Sequence, residues 1–124
     1  MKHILISQPM HGRSEESILT TMKGVESWAQ FVFPDNDIEI IDNYHHRAEP
    51  DYINNKRIWH LGQSISLMAS ADLVIFMDGY EKANGCMVEM AVVEKYGIEH
   101  IFESDLRNMV KERLNKLGEA VCEE

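Results

Sequence analysis

Asp72-Leu73-Val74-Ile75-Phe76-Met77 is the stretch on which the fold turns. From Leu73 to Met77 it is apolar without alternation, and this five-residue run is the longest in the chain. It is too short for a buried helix and lacks the polar face of a strand exposed to water. It reads as a central parallel strand covered on both sides. Downstream comes a loop over 78–84 and then a helix opened by Gly85. That helix places Val88, Ala91, Val92 and Lys95 on neighbouring turns and is closed by Gly97 at a C-cap position. Residues 98–102 form a partly polar strand, expected near an edge. Ser104 is expected to cap a last helix with the stripe Leu106, Val110, Leu114, Leu117 and Val121. Upstream, Ile58, Leu61, Ile65 and Met68 recur at spacings of three, four and three, which predicts a helix from about Lys56 to near Ser70. A polar stretch over 43–55 precedes it, and before that residues 38–42 (IEIID) read as a strand. Ile18, Met22, Val25, Ala29 and Val32 mark the first helix, capped by Ser14, with Glu15 and Glu16 in its first turn and Pro34 beyond its end. Residues 3–7 (HILIS) form the opening strand. Strands that alternate with helical crossovers imply a parallel sheet with helices on both faces, a three-layer α/β sandwich. The whole is one domain over residues 1–118, followed by an acidic tail over 119–124 that is expected to fray.

Composition narrows the function classes. The 124 residues carry 12 Lys and Arg against 21 Asp and Glu, a formal net charge of −9. Such a chain repels a phosphate backbone at long range, so nucleic acid is not an expected partner. Small anionic ligands remain open, because local donors hold them. No apolar run approaches the ~20 residues that span a bilayer, and no signal-peptide pattern opens the chain, so a cytoplasmic protein without a membrane partner is expected. Cys86 and Cys122 form no CxxC pair and are expected to be reduced thiols.

Ligands of open α/β sheets bind outside the carboxyl ends of the strands, where the strand order reverses. Those ends deliver Ser7-Gln8-Pro9-Met10-His11-Gly12-Arg13, then Asp42-Asn43, then Asp78-Gly79-Tyr80. In the first loop Ser7, Gln8 and His11 offer donors, Gly12 permits close approach, and Arg13 could grip a phosphate beside a helix start. The bland alternative is a strand-to-helix loop with a solvated arginine. Gly85 allows a tight turn into a helix, and Glu89 falls about one turn later. A carboxylate there would be kept ionised by the helix dipole, which suits attack on an anomeric carbon. The alternative is a solvated glutamate that only supports its helix. Cys86, near the same helix start, could have a lowered pKa; without a partner base it reads as pocket lining. Tyr80 could stack on a base. Asp78, at a carboxyl strand end, is the better catalytic candidate on pattern, and Asp72, at the opposite end, reads as structural. Two aspartates fall short of a Mg²⁺ set, and His45-His46 has no metal-ligand partner at a recognisable spacing, so neither metal nor cofactor is expected.

Two blocks carry a resemblance. ILISQPMHGRSEES, and later WHLGQSISLMASADLVIFMDGYEKANGCMVEMAVVEKYGI, are similar to the nucleoside 2-deoxyribosyltransferase-like superfamily, especially its short phage and bacterial branch. That branch reads approximately ISQPM-x-G, then S-x-x-L-M-x-x-A-D, then G-W/Y-E-x-A-x-G-C-x-x-E. The resemblance covers about residues 3–102. It implies a flavodoxin-like fold that cleaves or exchanges an N-glycosidic bond. The residue matching the attacking glutamate is Glu89, and an aspartate that binds sugar hydroxyls or assists the base matches either Asp72 or Asp78. Ser7, Gln8, Pro9, Met10 and Gly12 would contact the sugar or its 5′ substituent, with Gly79, Tyr80, Gly85 and Cys86 also lining the site. It also implies a homo-oligomer in which neighbouring subunits complete the pocket, to which the helix-borne Trp28 and Trp59 could contribute. Gln8-Pro9 stands where many catalytic members have Gly-Pro, Gly85-Cys86 where they have Gly-Thr, and Ala91 where they have Gly.

The expected activity is N-glycosidic cleavage or 2-deoxyribosyl transfer on a nucleoside or nucleoside 5′-monophosphate through Glu89, with Arg13 favouring the phosphorylated substrate. The rival is a non-catalytic nucleotide-binding protein. A third reading, a receiver-like phosphoacceptor domain using Asp78, lacks an acidic pair after the first strand.

Overall fold

Alternation along two inner strands builds the core. In β1 (Lys2–Ser7) Ile4 and Ile6 face one way and Leu5 the other. In β3 (Leu73–Phe76) Leu73 and Ile75 oppose Val74 and Phe76 in the same manner. All seven are at most 1% exposed, so both faces of the sheet are covered. The computed structural model describes the backbone of residues 1–44 and 49–122, and side chains up to residue 118. His45-His46 and the last two residues lie outside the described residues.

Around these strands the chain adds β2 (Ile38–Ile40) and β4 (His100–Phe102), giving a four-stranded sheet in the order β2-β1-β3-β4. Every pairing is parallel, with Ile4 opposite Leu73 and Ser7 opposite Phe76. Helices α1 (Glu15–Val32) and α4 (Glu103–Cys122) cover the Ile4/Ile75 face. The Leu5/Phe76 face is covered by α2 (Lys56–Met68) and α3 (Asn84–Tyr96). The fold is a flavodoxin-like three-layer α/β sandwich. The chain runs from β1 outward to β2, then crosses back to β3 on the far side of β1, so the order reverses between β1 and β3. Among the described residues no helix is long and apolar enough to cross a membrane.

Several local expectations need correction. The last helix begins at Glu103, so Ser104 lies inside it; the Asp105 carboxylate reaches back to accept the Phe102 N–H at 2.9 Å and takes the capping role. On that helix Leu106 is buried while Leu114 and Leu117 are exposed, because its second half runs past the core. On α2 Ile58 faces outward at 65% exposure, and the buried line contains Ser64 and Met68. On α3 Val88 and Ala91 face outward; the inward set is Cys86, Glu89, Met90 and Val93. These four follow the i, i+3, i+4, i+7 spacing of one helix face, with a glutamate on it.

Candidate functional site

Glu89 lies on the inward face of α3, beyond the first turn, and is 6% exposed. Its two carboxylate oxygens each accept one hydroxyl. Ser7 Oγ donates to Oε1 at 3.1 Å and Ser64 Oγ donates to Oε2 at 2.9 Å. Ser7 ends β1 and, two residues after Leu5, faces the α2/α3 side. Ser64 holds a place on the buried line of α2. Behind Ser64 stands Asn43, just past β2. Its Nδ2 donates to the Ile6 carbonyl at 2.9 Å and to Ser64 Oγ at 3.3 Å. The Asp42 carboxylate accepts the Tyr44 N–H at 3.1 Å, an Asx turn that presents Asn43 to the sheet. These polar groups come from β1, α2, α3 and the segment after β2. They meet at the carboxyl edge of the strands, beside the point where the strand order reverses.

Burial controls the electrostatics. Desolvation pushes the Glu89 carboxyl above the usual glutamate value, while the Ser64 and Ser7 hydroxyls pull it back by favouring the anion. The expectation of a dipole-stabilised first-turn anion is thereby corrected: Glu89 lies deeper in the helix, and loss of water outweighs the backbone field. Cys86 is corrected in the same direction. Desolvation raises its thiol pKa and the neighbouring Glu89 raises it further, against a hydrogen bond with Ser7, so the thiol is neutral and unreactive at pH 7.

The first loop folds onto itself. Arg13 Nη1 donates to Gln8 Oε1 at 2.7 Å and the Pro9 carbonyl at 2.8 Å. Nη2 donates to the Ser17 carbonyl and hydroxyl and to Thr21 Oγ1, and Nε to Ser17 Oγ. Every donor of the guanidinium has a protein acceptor. Arg13 is therefore a clamp on the loop and not a ready anion site. Gln8 is buried and also donates to the Ile18 carbonyl at 3.4 Å. Met10 packs against the α1/α4 core, and its carbonyl accepts the Arg13 N–H at 3.1 Å across Gly12. A different cation stands over this loop: Arg57, in the first turn of α2, lies 3.1 Å from His11 Nδ1.

The aspartates do not reach Glu89. Asp72 sits level with His3, four strand residues from Ser7, about 13 Å at strand rise. Its carboxylate accepts the His3 N–H at 2.8 Å, and that bond chiefly holds its pKa below the usual value. It is 53% exposed and fastens the amino end of the sheet, in keeping with the structural role read from its position in the sequence. Asp78 is at the carboxyl edge but is bound toward the other face, by Arg107 of α4 at 3.1 Å, and is 63% exposed. Gly79, at φ +89°, turns the chain into the 3₁₀ segment Tyr80–Lys82, and a Cβ there would lie 3.6 Å from the Pro9 ring. The Tyr80 ring rests 5.3 Å from Phe102 and 5.7 Å from Phe76, so it belongs to an aromatic cluster at the sheet edge. Gly85 has no left-handed φ; it lies inside α3, where a Cβ would meet Leu61 at 3.8 Å. The tight turn expected of it is absent.

Ser64 is the site residue that the sequence reading passed over; Asn43 was placed at a carboxyl strand end but given no role. Ser64 had a signal: it opens the S-x-x-L-M-x-x-A-D block and interrupts an apolar helix line. Asn43 had none beyond its place after a strand. Two shallow depressions open on the α1/α4 side, one over Glu15, Leu19 and Lys23 and one over Val32, Met109 and Leu117. Neither reaches Glu89. Among the described residues no three His, Cys, Asp or Glu side chains converge as a metal set. Comparison of the chain with protein-family models, with curated proteins and with solved structures gave no match.

Proposed function

We infer that the protein cleaves or exchanges the N-glycosidic bond of a nucleoside or nucleoside 5′-monophosphate, with Glu89 as the attacking group. The observation that carries this reading is the buried carboxylate at the strand-order reversal, with one hydroxyl donor on each oxygen. The residues come from both resembling blocks: Ser7 lies 82 positions from Glu89 in the chain and bonds to it.

In the proposed reaction a Glu89 oxygen donates an electron pair to C1′ of the sugar. The C1′–N bond breaks, its pair stays on the base nitrogen, and the base leaves with a proton taken from solvent. Water or a second base then attacks C1′, loses a proton and displaces the carboxylate. The attacking form is the anion, which the Ser7 and Ser64 hydroxyls favour. Activity therefore falls as pH drops through the raised Glu89 pKa. Arg57 with His11 takes the place first expected of Arg13 as the contact for a 5′-phosphate, since the Arg13 donors are engaged. The acting form is a homo-oligomer.

The second reading is binding without turnover, favoured by one fact: both Glu89 oxygens are already engaged by hydroxyls. A nucleoside and nucleotide panel, with released base followed by chromatography, separates the two. Glu89→Gln keeps the shape and removes the anion. Turnover should fall by orders of magnitude while substrate affinity changes little, because the lost interaction belongs to the transition state. A slow 2-fluoro sugar analogue should leave an adduct on Glu89. Near wild-type turnover by the Gln variant sinks the reading, and tight binding with neither base release nor adduct installs the second.

A further inference from the structure

The hydrogen bonds behind Glu89 run in one direction only. The Ile6 carbonyl can accept and never donate, so the Asn43 side-chain nitrogen must face it. The second N–H on that nitrogen then points to Ser64 Oγ, which accepts it. With an acceptor site of the hydroxyl filled by Asn43, its single proton is left for Glu89 Oε2. A flipped carboxamide would set its oxygen against the Ile6 carbonyl and invite the Ser64 proton away from Glu89. The observed orientation leaves Asn43 Oδ1 buried with no partner among the described residues. An unsatisfied buried acceptor is costly, yet the two N–H contacts hold the amide in this orientation.

We propose that Asn43 is a positioning residue: it reads the polarity of the Ile6 carbonyl and transmits it through Ser64, so that the Ser64 hydroxyl always donates to Glu89. Its bearing on catalysis rests on the reading of Glu89 as the attacking group; its bearing on the carboxylate does not. Cys86, on the same helix, is a titratable group facing Glu89 and stays a neutral thiol. From β1, α2 and the segment after β2 the facing groups are Ser7, Ser64 and, behind it, Asn43, none of which titrates. Desolvation raises the Glu89 carboxyl and the two hydroxyl dipoles that touch it pull it back; Asn43 orients one of those two.

The test is a titration of the full chain by NMR, with glutamate side-chain carboxyls labelled with ¹³C and asparagine side chains with ¹⁵N. In the wild type the Asn43 side-chain amide signals should move with the Glu89 midpoint, and Ser64→Ala should abolish that tracking. Asn43→Ala should shift the Glu89 midpoint upward, and so should Ser64→Ala. The double variant should go no higher than Ser64→Ala alone, because Asn43 acts through Ser64. An Asn43 amide that stays silent through the Glu89 titration overturns the proposal. So does an Asn43→Ala shift that persists in full in the Ser64→Ala background. If Asn43→Ala does not fold, the wild-type and Ser64→Ala titrations still decide. Intact coupling in a protein that never releases a base keeps this proposal and removes the glycosidic reading; base release through Glu89 without coupling does the reverse.

Discussion

Arg13 shows how a residue's surroundings redirect its chemistry. An arginine beside a helix start is a natural anion donor, but here Gln8, Pro9, Ser17 and Thr21 supply an acceptor for each N–H. Arg13→Ala should loosen the first loop and lower stability by roughly 1–2 kcal/mol, as for a partly exposed charged hydrogen-bond set. Affinities for a nucleoside and its 5′-monophosphate should fall together. Arg57→Ala should weaken the monophosphate alone; calorimetric titration of both ligands checks the pair. Glu89 carries a stability signature as well. Its pKa is raised in the folded chain, so the folded state holds the proton more tightly than the unfolded state. The resulting stabilisation is fully present below the ordinary glutamate value and is lost as pH rises through the raised one. Urea unfolding at several pH values should show wild-type stability declining across that window, and Glu89→Gln should remove the decline.

At the scale of elements, periodicity located each of the four α-helices, but it misjudged which way α3 faces and put one outward residue, Ile58, on the inward stripe of α2. Ile58 on α2 and Val88 on α3 both lie at apolar spacing, yet the inward places go to Ser64 and Glu89. A pattern of apolar residues cannot reveal a face that buries polar groups, because the compensating hydroxyls lie on other elements. Helix ends read better. Gly97 sits at the end of α3 with φ +66° and closes it by donating its N–H to the Val93 carbonyl. Gly97→Ala should cost about 1 kcal/mol or more, since a Cβ is strained there. Gly85→Ala should be neutral or stabilising by up to about 1 kcal/mol, because that glycine is helical and has room for a methyl group. Thermal melts of the two variants check the contrast.

For the whole molecule, the outer α2/α3 surface is notable. Ile58, Met87 and Val88 are exposed there, at 65%, 46% and 42%. Trp28 and Trp59, first considered as subunit contacts, are less open: Trp28 is at the edge of exposure, and Trp59 is half-buried, edge-on to His60. A homo-oligomer should use the α2/α3 surface. Light scattering at tens of micromolar should report more than one chain, and Val88→Asp should shift the population toward the monomer. A wild-type monomer at that concentration counts against the assembly.

The order of strands and helices along the chain, the burial of β3 on both faces and the caps at Ser14 and Gly97 were legible in the sequence, because each depends on local spacing and backbone preference. The company Glu89 keeps was decided only by the tertiary structure. Ser7, Asn43 and Ser64 are far apart in the chain and meet because the strand order reverses beside β1. The same folding took Arg13, Asp72 and Asp78 out of the immediate site by giving each a nearer partner. It also turned Glu89 from an expected surface anion into a buried carboxyl, because the loss of water on packing α3 against the sheet exceeds what a helix start can return.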